Sequence, residues 1–404
     1  MLEEDGPLLR DTTVTVKLLG AEALLVPLPQ MTSAQRMSMS AQHIVHSLSP
    51  KRPEHPYLFT GYESIFGRYD FNSTKRNQDI YIIDVIPKYQ ENYGALQIKV
   101  NPMYTVIYVG KDDGKVSYFN MERYGKCTDG YGYKNEWMNT NYLQKDMLVP
   151  KEMELSRATA HIGTHGYGLG INANVAYMTI PEVNNDAFAI SDTLAEKFTT
   201  VAVSSISGDI YIDQLPLNLY GDDLEHKFMP DIGECVQDHG IICGFRNPTD
   251  ATFVSDSLSL DTPHPQCDDL YYAPVGAEII DIEFYTGINK NKVKVDPGLF
   301  SQVDKYLDPM NMYWSRIVKA YEEIKHKSYG ISSEFNTLVT RAMCMLFASG
   351  KKVNGFNKRM DVKLGFGKEY IDFVRFKITF AYERKLQLGY KLSDNYGTRV
   401  VTPN

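Results

Sequence analysis

The sequence lacks the devices that would mark a small secreted or metal-stapled domain. Its cysteines (Cys127, Cys235, Cys243, Cys267 and Cys344) are scattered, with no C-x-x-C pair. That excludes a cysteine zinc knuckle and a disulfide framework, and it fits a reducing compartment. No apolar run reaches the ~18 residues a membrane helix needs, and the acidic start MLEEDGPLLRD has no signal-peptide core. An excess of basic charge is also missing. Lys and Arg number 42 against 50 Asp and Glu, a net of −8, which rules out a uniformly basic nucleic-acid coat. Hydrophobic residues at 43% and charged residues at 23% exclude disorder and low complexity. A chain of 404 residues is long enough for two or three domains at roughly 100–200 residues each.

The charge is unevenly placed. Residues 179–299 hold 6 basic and 21 acidic side chains, a net of −15, whereas 351–404 hold 12 and 5, a net of +7. A basic block therefore follows an acidic segment. It reads either as two solvated faces or as a phosphate-contacting tail attached to a module that meets something else.

Strand-like runs dominate. Residues 81–86, 96–100, 104–109, 175–178, 279–284 and 374–380 are rich in β-branched and aromatic residues and are bounded by turn formers. The 28 tyrosines suit half-buried sheet surfaces. Helical periodicity is clear at 299–327, where Pro309 is expected to break the run, and at 333–349, opening on Ser333. The expected fold is mostly β with a small α+β insertion around 208–370.

Catalytic motifs are sparse. His161 and His165 have the i, i+4 spacing of a zinc pair, but the glycine-rich surroundings disfavour a helix and no Glu follows the first His. Gly166, Gly168 and Gly170 lack the Gly-Lys-Ser/Thr of a phosphate loop, and Ser204 to Ser207 lack nucleophile-elbow spacing. Asp112-Asp113, Asp222-Asp223 and Asp268-Asp269 read as turns or solvated loops, and there is no Asp-x-Asp-x-Asp to hold a catalytic metal pair. Near the C-terminus, Lys391 and Arg399 flank a glycine-containing turn, which suits either a solvated edge or a phosphate clamp.

Six segments, in serial order over about 20–401, resemble the second-largest (β) subunit of multisubunit DNA-dependent RNA polymerases. They are Ala23-Leu-Leu-Val26-Pro27-Leu28 running on to Arg36; Thr60-Gly61-Tyr62-Glu63; Leu169-Gly170-Ile171-Asn172 through Val175-Ala176-Tyr177-Met178; Asn185-Asp186-Ala187 through Ile190-Ser191; Ile232-Gly233 through Gly240 to Pro248; and Arg384-Lys385 through Gln387, Gly389 and Lys391 to Gly397 and Arg399. Asn185 stands where the family has Glu, Asn395-Tyr396 where it has Arg-His, Arg399 where it has a second Lys, and His46 where it has Gln. This drift, with the Met start and the end just past Arg399, resembles the split polymerases of giant bacteriophages.

The resemblance implies a double-psi-like β-barrel hybrid-binding region interrupted by a flap (wall) domain. It divides the chain into 1–207, the flap at 208–370 with two helices, and a return segment at 371–404. It implies a nucleotidyltransferase that is inactive alone and works with other β and β′ fragments, template DNA, RNA transcript and NTPs, with a possible promoter-specificity factor at the flap. Mg²⁺ would be held mainly by the β′-type partner, with Asp186 acting through water. Arg36 would meet the triphosphate, Lys391 and Arg399 the RNA phosphates, and His46 and Asn185 would stand near the substrate. The expected location is the infected host's cytoplasm or the virion. The alternative is a β-rich phage structural or assembly protein.

Overall fold

A computed structural model of the chain describes residues 20–26, 28–45, 50–57, 60–63, 74–89, 101–128, 131–162, 166–168, 170–176, 178–179, 181, 188–222, 224–247, 259–286, 298–327, 329–351, 373–386 and 400–401. Two helices come first, α1 (Ala21–Leu24) and α2 (Ala34–Val45). Then follow β1 (Ile80–Pro87), β2 (Met103–Gly110), β3 (Lys115–Glu122), β4 (Tyr124–Thr128), β5 (Tyr131–Lys134), β6 (Glu136–Trp137), β7 (Leu148–Val149), β8 (Ser156–Arg157), β9 (His161–Ile162), β10 (Gly166–Tyr167) and β11 (Phe188–Ala189). After α3 (Asp192–Lys197) come β12 (Thr200–Ile210), β13 (Leu215–Pro216), β14 (Ile241–Arg246), β15 (Asp268–Tyr272) and β16 (Glu278–Thr286). The rest is α4 (Ser301–Lys325), β17 (Gly330–Ile331), α5 (Ser333–Ala348), β18 (Val374–Arg384) and β19 (Val400–Val401). Strands outnumber helices, as the β-rich composition implies.

The largest sheet has the order β17-β3-β2-β1-β7. Its β-branched and aromatic residues alternate between two apolar layers. Ile80, Ile82, Val106, Phe119 and Met121 pack on one side with Val149 and Leu155. Ile86, Ile107 and Val116 pack on the other against α4 and α5. A second sheet, β12-β18-β16, has β18 in the centre. β12 and β18 pair antiparallel over their whole length, from Thr200 opposite Arg384 to Ile210 opposite Val374. One face of this sheet, with Ile279, Ile282, Phe284, Phe376, Ile378 and Phe380, builds a core shared with β14 and the start of α4.

β12 and β18 thus flank the span from 211 to 373. β16, from inside that span, pairs with β18, and α4 and α5 bury their faces on β1–β3 from outside it. The strands form separate sheets, and among the described residues none closes into a barrel. No described helix is long and apolar enough to cross a membrane.

Two sequence expectations are corrected. Pro309 does not break its helix: α4 runs unbroken from Ser301 to Lys325 with Pro309 buried inside it. Proline in a helix interior costs about 3 kcal/mol through a lost N–H and a ring clash. Here that cost is outweighed by packing on both sides. Val303, Tyr306 and Leu307 enter the β12-β18-β16 core, and Met310, Tyr313, Trp314 and Ile317 enter the β1–β3 layer. Residues 175–178 were expected to be a strand. Their described members carry no strand, and Val175 and Met178 are 61% and 67% exposed. β-propensity without a neighbour to pack on does not make a strand. The expected strand at 96–100 lies outside the described residues.

α5 begins at Ser333, as the sequence implied, and its cap lies one residue before it. Ser332 is the N-cap, and its hydroxyl accepts the Phe335 N–H at 3.1 Å. Ser332→Ala is expected to cost about 1 kcal/mol, read as a lower urea midpoint with an unchanged slope. A loss of a few tenths or less would show that the cap is dispensable.

Candidate functional site

Arg36 lies in the first turns of α2 with its side chain exposed. Its N–H is capped by the Ser33 hydroxyl at 3.4 Å. From Ala23 to Pro53 the sequence contains no Asp or Glu, so no acid within that stretch competes for the guanidinium. His46 follows α2 directly and lies outside the described residues.

The loop 50–57 is a seam between distant segments. Lys51 donates its N–H to the Thr199 carbonyl at 2.7 Å, and its ammonium pairs with Glu383 near the end of β18. Glu54 donates its N–H to the Gly170 carbonyl at 2.8 Å. Asn172 then ties the loop from the other side. Its N–H reaches Glu54 Oε2 at 3.0 Å, its amide reaches the His55 carbonyl at 2.8 Å, and its Oδ1 accepts the Tyr57 N–H at 3.2 Å. Lys197 in α3 pairs with Glu54 at 3.0 Å. The hydrogen bonds from Lys197 and Asn172 hold the Glu54 carboxyl below its ordinary range.

Just beyond, Thr60–Glu63 forms a local carboxylate turn. Glu63 Oε1 accepts the Thr60 N–H at 2.8 Å, and Oε2 accepts the Gly61 N–H at 2.9 Å. Gly61 has φ +89°, a region that favours glycine. Burial pushes the Glu63 carboxyl up, but these donors win and hold it below its usual value.

A two-residue parallel bridge joins β11 to β19, with Phe188 opposite Val400 and Ala189 opposite Val401. Asp186 precedes the first of these strands by two residues, and Arg399 immediately precedes the second. Asn185, Asp186, Lys391 and Arg399 themselves lie outside the described residues. The structure thus pairs the flank of the Asp186 segment with that of the Arg399 segment, and separately ties 50–57 to 170–172. Arg36 is described on its own helix, which packs with α1.

The other candidates resolve structurally. His161 sits in strand β9 opposite Tyr167, not on a helix, and His165 lies outside the described residues. Asp113 accepts the Lys115 N–H at 3.1 Å in the β2–β3 turn, and Asp222 accepts the Leu224 and Glu225 N–H groups, both at 2.9 Å. Asp268 is not solvated. It is buried and held by Arg246, from Nε to Oδ1 at 2.7 Å and from Nη2 to Oδ2 at 2.9 Å. Among the described residues no three His, Cys, Asp or Glu side chains come together as a metal site.

Sequence reasoning missed one buried charge cluster. Lys88, immediately after β1, places its ammonium between Asp281 and Glu283 of β16, the Glu283 contact at 2.6 Å. Tyr89 donates to Asp281 at 3.1 Å, and Tyr285 donates to Glu283 at 2.6 Å. Burial disfavours the charged Lys88, but the two carboxylates outweigh it and raise its pKa. Burial likewise opposes Glu283, yet Lys88 holds it down at about 2, while burial and the Glu283 charge push Asp281 up. The available signal was the alternation Asp281-x-Glu283 within the apolar run Ile279–Phe284. The cluster bolts the β1–β3 sheet to the β12-β18-β16 sheet.

No known protein family matches the chain, and no curated protein matches it in sequence.

Proposed function

We propose that the chain is one piece of a split β subunit of a DNA-directed RNA polymerase, holding the RNA–DNA hybrid and NTP phosphates near the active centre. The observation that carries the reading is two sets of long-range contacts that involve residues in or beside motif segments. Residues 50–57 are bonded to 170–172, to 199 and to 383, and 188–189 pair with 400–401. Chance similarity has no reason to bring the flanks of motif segments side by side, whereas a shared site requires it. The finer elements of this reading are a double-psi-like barrel around those contacts, a flap at 208–370 and a giant-phage origin.

The chemistry asked of this chain is electrostatic. Arg36, fixed on a helix and free of neighbouring acids within its own segment, offers a planar fork suited to phosphate oxygens. Lys391 and Arg399 supply further cations to the transcript backbone. Such contacts read phosphates and hybrid shape, not base sequence. They would act by holding the RNA 3′ end and the NTP in reacting geometry. Mg²⁺ belongs in this reading to the β′-type partner.

The test is co-expression with a partner bearing Asp-x-Asp-x-Asp, followed by promoter-independent RNA synthesis on a primed template. Arg36→Ala and Lys391→Ala are each expected to lower the rate roughly 10²-fold, the scale for losing one preorganised donor, with partial recovery in Arg36→Lys. Full activity in both alanine variants overturns the site. Isolation as a defined homo-oligomer that never associates with such a partner overturns the function and favours a structural protein.

A further inference from the structure

Loop 50–57 uses most of its charges inside the fold. Both oxygens of Glu54 are taken, Oε1 by the Lys197 ammonium at 3.0 Å and Oε2 by the Asn172 N–H at 3.0 Å. Lys51 is taken by Glu383. One charge is left over. Arg52 is exposed and pairs with no described carboxylate. The Lys51–Glu383 pair also ties the loop to the basic C-terminal block, since Glu383 directly precedes Arg384 and Lys385 in the stretch 351–404 of net +7.

Tyr57 ends this loop with its side chain 88% exposed. Its backbone, in contrast, is pinned. The Tyr57 N–H donates to Asn172 Oδ1 at 3.2 Å, and the same amide donates to the His55 carbonyl at 2.8 Å. Upstream, the Glu54 N–H reaches the Gly170 carbonyl at 2.8 Å and the Lys51 N–H the Thr199 carbonyl at 2.7 Å. Pro53 and Pro56 fix two further φ angles. A single exposed aromatic on an ordinary surface carries no message. Here the ring stands on a fixed backbone, on the same loop as an unpaired guanidinium, so much of the ordering cost of binding is already met before a ligand arrives.

We propose that Tyr57 stacks on an unpaired base of single-stranded nucleic acid, with Arg52 meeting the strand's phosphates and Asn172 acting as the positioning residue for the ring. A tyrosine ring offers a large face with only two side-chain torsions to fix. Every base has a face to match it, so the contact tolerates any sequence. In a duplex those faces are already stacked on one another, which selects a single strand. The guanidinium fork suits phosphate oxygens, and the bond to the basic block makes a polyanion the charge complement of this loop. The inference takes from the polymerase reading the presence of nucleic acid at this chain. It adds a base contact where that reading has phosphate contacts alone.

The probe is a short fluorescein-labelled single strand of mixed sequence, compared with an abasic strand of equal length and charge, titrated with the full chain in fluorescence anisotropy. The base-bearing strand is expected to bind about tenfold tighter. Tyr57→Ser should abolish that difference, Tyr57→Phe should keep it, and Asn172→Ala should reduce it. Arg52→Ala should weaken both strands alike and make the salt slope shallower by about one. Because the Tyr57 side chain is exposed, Tyr57→Ser should melt as the parent does. The comparison is run with RNA and with DNA, and a difference removed by Tyr57→Ser in either supports the contact and names the strand. Equal binding of the base-bearing and abasic strands, no binding of either, or a difference that survives Tyr57→Ser overturns the proposal. So does a protein partner whose capture needs Tyr57 while strand binding does not. The assay needs neither a partner chain nor RNA synthesis, so these failures leave the polymerase reading standing. That reading falls instead if the chain never associates with the Asp-x-Asp-x-Asp partner, whatever Tyr57 does.

Discussion

Lys88→Ala is expected to destabilise the fold by about 3–5 kcal/mol, the scale for removing one partner of a buried charge pair. The Lys88 side chain is 5% exposed, and those of Asp281 and Glu283 are 19% exposed. Truncation therefore leaves two neighbouring carboxylates with little water and no cation between them. Lys377 stands 4.0 Å from Glu283, too far to replace the bond. Glu122, exposed, stands near enough to the cluster to interact with Lys88, Asp281 and Glu283. Asp281→Asn should cost much less at neutral pH. Asp281 has a raised pKa, so its ionised form is the one the fold disfavours, and the amide oxygen can still accept from Lys88 and Tyr89. Urea denaturation compares the two. A Lys88→Ala loss under about 1 kcal/mol, or an Asp281→Asn loss equal to it, would refute the account, since a buried cation left without consequence contradicts the size of the effect.

The pH dependence has a definite sign. Glu283 is depressed to about 2 from 4.5, so its contribution is present above the unfolded value and is lost as pH falls through the folded one. Lys88 is raised above 10.5, so its contribution is full below that value and is lost as pH rises through the folded one. Asp281 is raised above 3.8 and acts oppositely, favouring the fold at low pH and losing that contribution as pH rises. The parent should therefore lose stability at both acid and alkaline extremes, and Lys88→Ala should flatten the alkaline limb.

Local pattern carried much of the fold. β1, β2, β16, β18, α4 and α5 stand within a few residues of their periodic apolar runs, because burial on one face enforces the period. β12 was not legible. Its Ser204, Ser205 and Ser207 dilute the strand signal, and it is fixed instead by pairing with β18. α2 was hidden for a related reason: its Met, Ser and Gln residues leave most of the helix exposed or half-buried, so no core stripe announces it. Pro309 misled because local propensity yields to tertiary packing. The candidate site was legible only as separate segments. No spacing rule links Lys51 to Glu383 or Phe188 to Val400, and the contacts that join them are long-range. The Lys88 cluster was invisible for the same reason, since its partners lie about 190 residues away along the chain.

The other large effect is expected at Phe376. Its ring is fully buried in β18 and meets Phe245 at 5.6 Å and Tyr271 at 5.1 Å between ring centroids. Across the ladder, Phe376 stands opposite Gly208 of β12, and these rings fill the space a side chain there would take. A Cβ on Gly208 would lie 2.4 Å from the Tyr271 hydroxyl and 2.8 Å from the tip of the Phe376 ring. Phe376→Ala should cost about 3–5 kcal/mol through lost transfer energy and the cavity left behind. Gly208→Ala should cost about 1–3 kcal/mol for the opposite reason, overpacking. The double variant should cost less than the sum, because deleting the ring removes one of the two clashes that the added methyl creates. A coupling of about 0.5 kcal/mol or more in a double-mutant cycle is the expected result. Strict additivity would mean that Tyr271 alone sets the glycine requirement, and that β12 is held to β18 by its ladder and not by this aromatic cap.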